Sequence, residues 1–282
     1  MGNVSATKNY NALDRLNQGG NYFFDRSVER QIFHLRLELA QVTQNQWWHS
    51  FRPETRVVKR KARDYNFQEI LQIDENIEFT HVTMSPWKTQ NVANPENTVI
   101  SIETLYEELI PFVLSRLANS FGPTLVVFPQ EDWAPVHKFA AAKEIKSLCV
   151  NYGPGAELLL PNMQENLAHL TLSCDWPTDT ALHLLAWANQ EELVKLDFQA
   201  SNILVSADVI SAYVQRWKNA KGSTNIWLEG KRHFEPKDVK HYFNLWNKQT
   251  HPETNFCSSE NKASPNCLDL VVSEEKFCLV SG

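Results

Sequence analysis

The sequence predicts an α/β fold in which strand-helix units stack side by side, preceded by a small β-rich N-terminal region. Three observations predict it. First, a pattern of apolar anchors recurs: Ile145, Leu148 and Val150; Leu167, Leu170 and Leu172; Leu193, Leu196 and Phe198. Fainter copies stand at Val126 and Phe128 and at Ile226 and Leu228, and the steps between copies are 22, 22, 26 and 30 residues. Second, the segments between copies have helical spacing, so each unit carries an apolar face that only a neighbouring unit can bury. Third, short runs within residues 32–84 alternate apolar and polar side chains, the mark of half-buried strands. The implied organisation is a flexible N-terminus over 1–31, a β-rich region over 32–98, the stack over 99–248, and a polar linker with a closing hairpin over 249–282.

Composition narrows the function classes. With 43% hydrophobic and 21% charged residues, a chain of 282 residues can bury a sizeable core. A net charge of −6 gives no global pull towards nucleic acid. No apolar run reaches the length of a membrane-spanning helix, and residues 1–30 lack the apolar segment of an export signal. Cys149, Cys174, Cys257, Cys267 and Cys278 are odd in number and not closely paired, which suits reduced thiols in the cytoplasm or nucleus.

At the start, Met1-Gly2-Asn3-Val4-Ser5-Ala6-Thr7-Lys8 resembles an N-myristoylation site, with Ala6 where the pattern has Ser or Thr. The other reading is an ordinary flexible start. Residues 32–42 read as a strand with Phe33, Leu35, Leu37 and Leu39 on its apolar face and His34, Arg36 and Glu38 on the other. Trp47 and Trp48 read as core or cap packing, with an exposed aromatic platform as the sharper alternative. Arg56, Lys59, Arg60, Lys61 and Arg63 form a basic cluster. It reads as a nuclear-import or phospholipid contact patch, or as a solvated turn. Residues 67–73 and 77–84 read as further short strands of a meander.

Ser101, Glu103 and Thr104 open a helix on which Leu105, Leu109, Phe112, Val113 and Leu117 recur, kinked or shortened by Pro111 and stopped by Gly122-Pro123. Residues 124–128 read as a buried strand. Within the stack, Thr178 is a candidate N-cap for a connector helix carrying Leu182, Leu185, Ala186 and Trp187. Ser206 plays that part for a helix with Val209, Ile210, Tyr213, Val214 and Trp217 on one stripe. Pro236 opens another, lined by Val239, Tyr242, Phe243 and Trp246. The stretch 249–266 is polar, and residues 268–272 and 276–280 read as a hairpin around Ser273-Glu274-Glu275.

A strand, a polar link and then Asp238, Val239, Tyr242, Phe243 and Trp246 resemble the nematode F-box-associated domain, with a weaker echo from Asp208 to Trp217. In that family the motif is an acidic-start helix ending in Trp. The resemblance covers roughly residues 100–280 in order of elements. It implies an irregular leucine-rich-repeat-like architecture, the substrate-recognition part of an adaptor whose F-box docks onto a cullin-type ubiquitin ligase. Residues 1–30 are short and polar and residues 32–84 read as strands, so no F-box is recognised and direct binding to a Skp-type linker protein is not expected. Regular leucine-rich repeats carry Asn or Cys after the strand. The matching positions here are Gly153, Asp175, Ser201 and Lys231, so the units are irregular, as in the nematode family.

No phosphate-binding loop, dinucleotide fingerprint, nucleophile elbow or His-Glu-x-x-His zinc motif is present. Gly153 and Gly155 read as a turn. His233 and His241 have no cysteine at metal-ligand spacing, and Cys174 with His169 or His183 is a remote candidate for a nucleophile pair. The expected function is therefore a non-enzymatic protein–protein interaction domain with no cofactor and no bound metal. The alternative is a peripheral membrane signalling or trafficking protein held by a lipid on Gly2 and by the basic cluster. One myristoyl chain alone binds membranes only marginally.

Overall fold

The structure, a computed structural model, describes residues 32–54, 64–73, 76–87, 98–118, 122–162, 167–220, 225–243, 245–250, 253–258 and 267–281. Gly2 and the basic residues Arg56, Lys59, Arg60, Lys61 and Arg63 lie outside these residues. In chain order the strands are β1 (Ile32–Thr43), β2 (Gln46–Pro53), β3 (Asn76–Met84), β4 (Val99–Ser101), β5 (Thr124–Val127), β6 (Ser147–Asn151), β7 (His169–Ser173), β8 (Lys195–Asp197), β9 (Leu204–Val205), β10 (Trp227–Arg232), β11 (Leu245–Thr250), β12 (Glu253–Ser258), β13 (Leu268–Val272) and β14 (Lys276–Ser281). The fold is α/β, with these strands in one mixed sheet.

The sheet order is β11-β12-β13-β14-β10-β8-β7-β6-β5-β3-β1-β2-β4, with β9 against β10. From β1 through β3, β5, β6, β7 and β8 to β10 every neighbouring pair is parallel. The outer pairs β1–β2, β2–β4 and β10–β14 through β11 are antiparallel. Because β3 pairs with β5, the sheet runs unbroken past residue 99, where the sequence suggested a boundary.

Alternation decides which face is buried. Leu125, Val127, Leu148, Val150, Leu170, Leu172, Leu196, Phe198 and Leu228 point into a single apolar core with the helices. The helix Ala207–Asn219 adds Val209, Ile210, Tyr213, Val214 and Trp217, the expected stripe, and starts after Ser206 as expected, although the Ser206 hydroxyl makes no capping hydrogen bond. The Arg216 guanidinium ties it to the preceding unit by donating to the Gln190 and Leu193 carbonyls.

The helical run at 102–114 contains a π-helical segment, Leu105–Leu109, directly before Pro111. Proline has no N–H for the carbonyl four residues back, and a widened turn absorbs that loss. Ser101 caps the start by accepting from the Thr104 N–H.

Several expectations change. Residues 67–71 are an α-helix, Phe67–Leu71, and not a strand. Asn66 and Glu69 close a reciprocal capping box there, which satisfies two amides that an extended chain would leave to a partner strand. Thr178 does not cap an α-helix. It heads the 3-10 segment Thr178–His183, which precedes the α-helix Leu184–Ala188. The tighter winding rotates the apolar stripe, so Leu182 is 80% exposed and Leu185 48%, while Leu184 and Trp187 are buried.

The motif helix is also shorter than expected. It is α over Pro236–Val239 and 3-10 over Lys240–Tyr242, and Phe243 is already extended. Asp238 sits in a capping box with Glu235, Val239 and Phe243 are buried, and Tyr242 is half-buried. Trp246 lies in β11, where its backbone partner is Phe256. Two turns of isolated helix gain few internal hydrogen bonds, and the ladder to β12 offers more. The expected polar linker thus contains the end of β11 and all of β12, and the hairpin β13–β14 forms as expected, with Val272 opposite Phe277.

Candidate functional site

Seven parallel strands bring their C-terminal ends to one edge of the sheet, and the segments that follow them form a rim. Aromatic side chains mark it: Trp87 after β3, Phe128 and Trp133 after β5, Tyr152 after β6 and Trp176 after β7. Phe128, expected with Val126 as a buried anchor, is 39% exposed, and Leu125 and Val127 are buried instead. Tyr152 and Trp176 pack together with ring centres 5.1 Å apart.

The rim is held by side chains bonded to backbone. Asn202 accepts from the Trp176 N–H at 2.8 Å and donates to the Trp176 carbonyl at 2.9 Å. The Trp176 indole N–H reaches the Ser173 carbonyl, and the Trp133 indole N–H the Pro154 carbonyl. Asn151 donates to the Val127 carbonyl of the neighbouring strand. Gly155 has φ +93°, and a Cβ there would press on the Trp133 ring at 2.9 Å, so this turn requires glycine. Asn202 and Asn151 stand one and two residues from Ser201 and Gly153, positions that the spacing pointed to, Asn151 at the end of β6 and Asn202 between β8 and β9.

Charge on three of the rim loops has one sign. The stretches 128–133, 152–157 and 174–179 carry Glu131, Asp132, Glu157, Asp175 and Asp179 and no Lys or Arg. Burial, and then Asp132, push the Tyr106 hydroxyl up to about 12. A cleft of about 290 Å³ opens at the rim, lined by the ends of β1, β3 and β5.

The sheet face opposite the helices is lined by a mostly polar row read across strands: Thr83, Val126, Cys149, Thr171, Asp197, Glu229 and Cys278. A parallel row runs Arg36, His81, Thr124, Ser147, His169, Lys195 and Trp227. Lys195 reaches Asp197 at 3.7 Å and lies 5.3 Å from the Trp227 ring centre. Burial, and then Glu229, push the Cys278 thiol up to about 12, and burial followed by Asp197 raises Cys149. Both thiols are protonated at neutral pH, the opposite of an activated nucleophile.

The structure does not assemble the other sequence candidates. Cys174 Sγ faces Asn151 at 4.0 Å, His183 stacks on Trp187, and His169 stands in the row beside Lys195. His241 packs on Tyr242, and His233 bonds through its backbone to Val205. Among the described residues no three His, Cys, Asp or Glu side chains come together to hold a metal ion, and no helix is long and apolar enough to cross a membrane. Comparisons with protein-family models, with curated proteins and with solved structures find no match for this chain.

Proposed function

We propose that this chain is a protein-recognition module that meets its partner through the strand-end rim and the adjoining polar sheet face. The observation that carries this reading is the strand order. β3, β5, β6, β7, β8 and β10 lie side by side in chain order, separated by helical connectors, so successive loops collect on one edge. That order supports an irregular leucine-rich-repeat-like stack, a scaffold whose repeated loops and strand face serve binding. Loops tied down by Asn202, Asn151, Trp133 and Trp176 lose little entropy when a partner arrives.

The reading fits the substrate-recognition half of nematode F-box adaptors. The described residues within 32–84 form β1, β2, β3 and a helix of five residues, which is not the helical surface a Skp-type linker protein docks on. The purified chain is expected not to bind that linker.

Cross-linking mass spectrometry on the chain purified with its native partner tests the proposal. Cross-links from the partner should fall on the rim and sheet face, and Asp175→Lys with Asp179→Lys should abolish co-purification without moving the unfolding temperature. Cross-links confined to the helical side, or full binding by that double variant, would overturn it.

A further inference from the structure

We infer that the cleft at the C-terminal ends of β1, β3 and β5 is a pocket for the arginine side chain of a partner segment. This deepens the reading above and rests on it. Gln41, Thr43, Ser85, Trp87, Gln130 and Glu131 supply its polar and aromatic lining.

Size comes first. A cleft of about 290 Å³ takes one long side chain and its flanking backbone, and excludes a folded element. Chemistry then selects among side chains. Gln130 is 9% exposed and donates its amide N–H to the Phe128 carbonyl at 2.7 Å, so its own oxygen is the group left over. The Gln41 oxygen has no donor at all. A terminal amide torsion is soft and roughly two-fold, so that carbonyl can turn to meet a donor entering the cleft. Glu131 adds a carboxylate, and neither the lining nor residues 128–133 contain a Lys or Arg. The half-exposed Trp87 ring, held against Trp48 at 6.0 Å between ring centres, supplies a π face.

An acidic side chain would meet Glu131 with no Lys or Arg among the described lining residues to offset it. An apolar one would leave the buried Gln41 oxygen unpaired, which is costly. The planar guanidinium brings five donors, a positive charge and a face that stacks on an indole, and so answers every group present.

The test uses the full chain and three blocked pentapeptides, Gly-Gly-Xaa-Gly-Gly with arginine, lysine or neutral citrulline at the centre, followed by saturation-transfer NMR. The arginine peptide should bind with Kd on the order of 1 mM, and the citrulline peptide about fivefold or more weaker. Glu131→Gln and Trp87→Leu should each weaken arginine binding about two- to fivefold. Should Trp87→Leu fail to fold, the exposed Glu131→Gln decides. Equal binding of arginine and citrulline peptides, or no transfer to the arginine peptide at about 10 mM, overturns the pocket. If partner cross-links still fall on the rim in that case, the recognition reading stands without it. Arginine binding with cross-links elsewhere refutes the reading, and with it the assignment of the cation to a partner protein.

Discussion

β2 and β7 belong to the same sheet but meet water differently. In β2 the five successive residues Trp47, Trp48, His49, Ser50 and Phe51 are all buried, so that strand is enclosed on both faces. In β7 burial alternates, with Leu170 and Leu172 in the core and Thr171 part-exposed on the open face. At the N-terminal end Phe51 packs on Phe67 and Phe79 on the core face, while on the second face Trp48 meets Trp87 at 6.0 Å between ring centres, and ion pairs including Arg36–Glu54 at 3.1 Å and Arg52–Glu38 at 3.3 Å flank it. Among the described residues, the second face of the centre is part-exposed. One end of the sheet is therefore built for stability, and the middle keeps surface for a partner.

Loss of a large core ring should have the greatest effect at either end. Trp47→Ala and Trp217→Ala each empty a site that is 0% exposed and should cost about 3–5 kcal/mol in urea unfolding. An unchanged midpoint for Trp47→Ala would mean that Trp47 is not part of the packed core.

The enclosed end should also be the acid-sensitive one. Burial lowers the His49 pKa from 6.5 to about 4, and its Nε2 accepts from the Phe67 N–H at 2.8 Å. The unfolded chain binds this proton below about pH 6.5 and the folded chain only near pH 4. The stability due to a neutral His49 is thus complete above that window and is lost as the pH falls through it, by about 3 kcal/mol for this group. Measured from pH 7 to pH 4, wild-type stability should fall more steeply than that of His49→Gln. Equal slopes would show that His49 titrates normally.

In the centre, Asn202→Ala leaves the Trp176 N–H and carbonyl without partners and should cost about 2 kcal/mol. Amide exchange should quicken at residues 174–178 before it does in β2. If exchange rises everywhere together, the rim is not a separately held layer. The smallest effect belongs to the open face. Lys195→Ala removes a part-exposed contact to Asp197 and should change stability by less than about 0.5 kcal/mol. Partner binding is the quantity it should change. A large stability loss would mean that this face is covered in the folded chain.

Much of this architecture could be read from spacing alone. The anchors at Leu148, Leu170, Leu196 and Leu228 mark successive parallel strands, because a one-sided strand must repeat its apolar residues with period two. The stripe from Val209 to Trp217 and the hairpin β13–β14 were legible for the same reason: local periodicity and turn residues dictate them. Partner-dependent features were not. Residues 245–250 pair with β12, and residues 67–71 close on Asn66, choices settled by which hydrogen-bond partners the fold brings near. The rim belongs to this second group. Gln41, Trp87 and Glu131 are far apart in the chain and share no motif, and only the parallel alignment of β1, β3 and β5 brings them to one cleft. Local sequence sets the period and the buried face of each element, while a site made from strand ends depends on which strands become neighbours, and that is decided by burial and hydrogen bonding across the whole sheet.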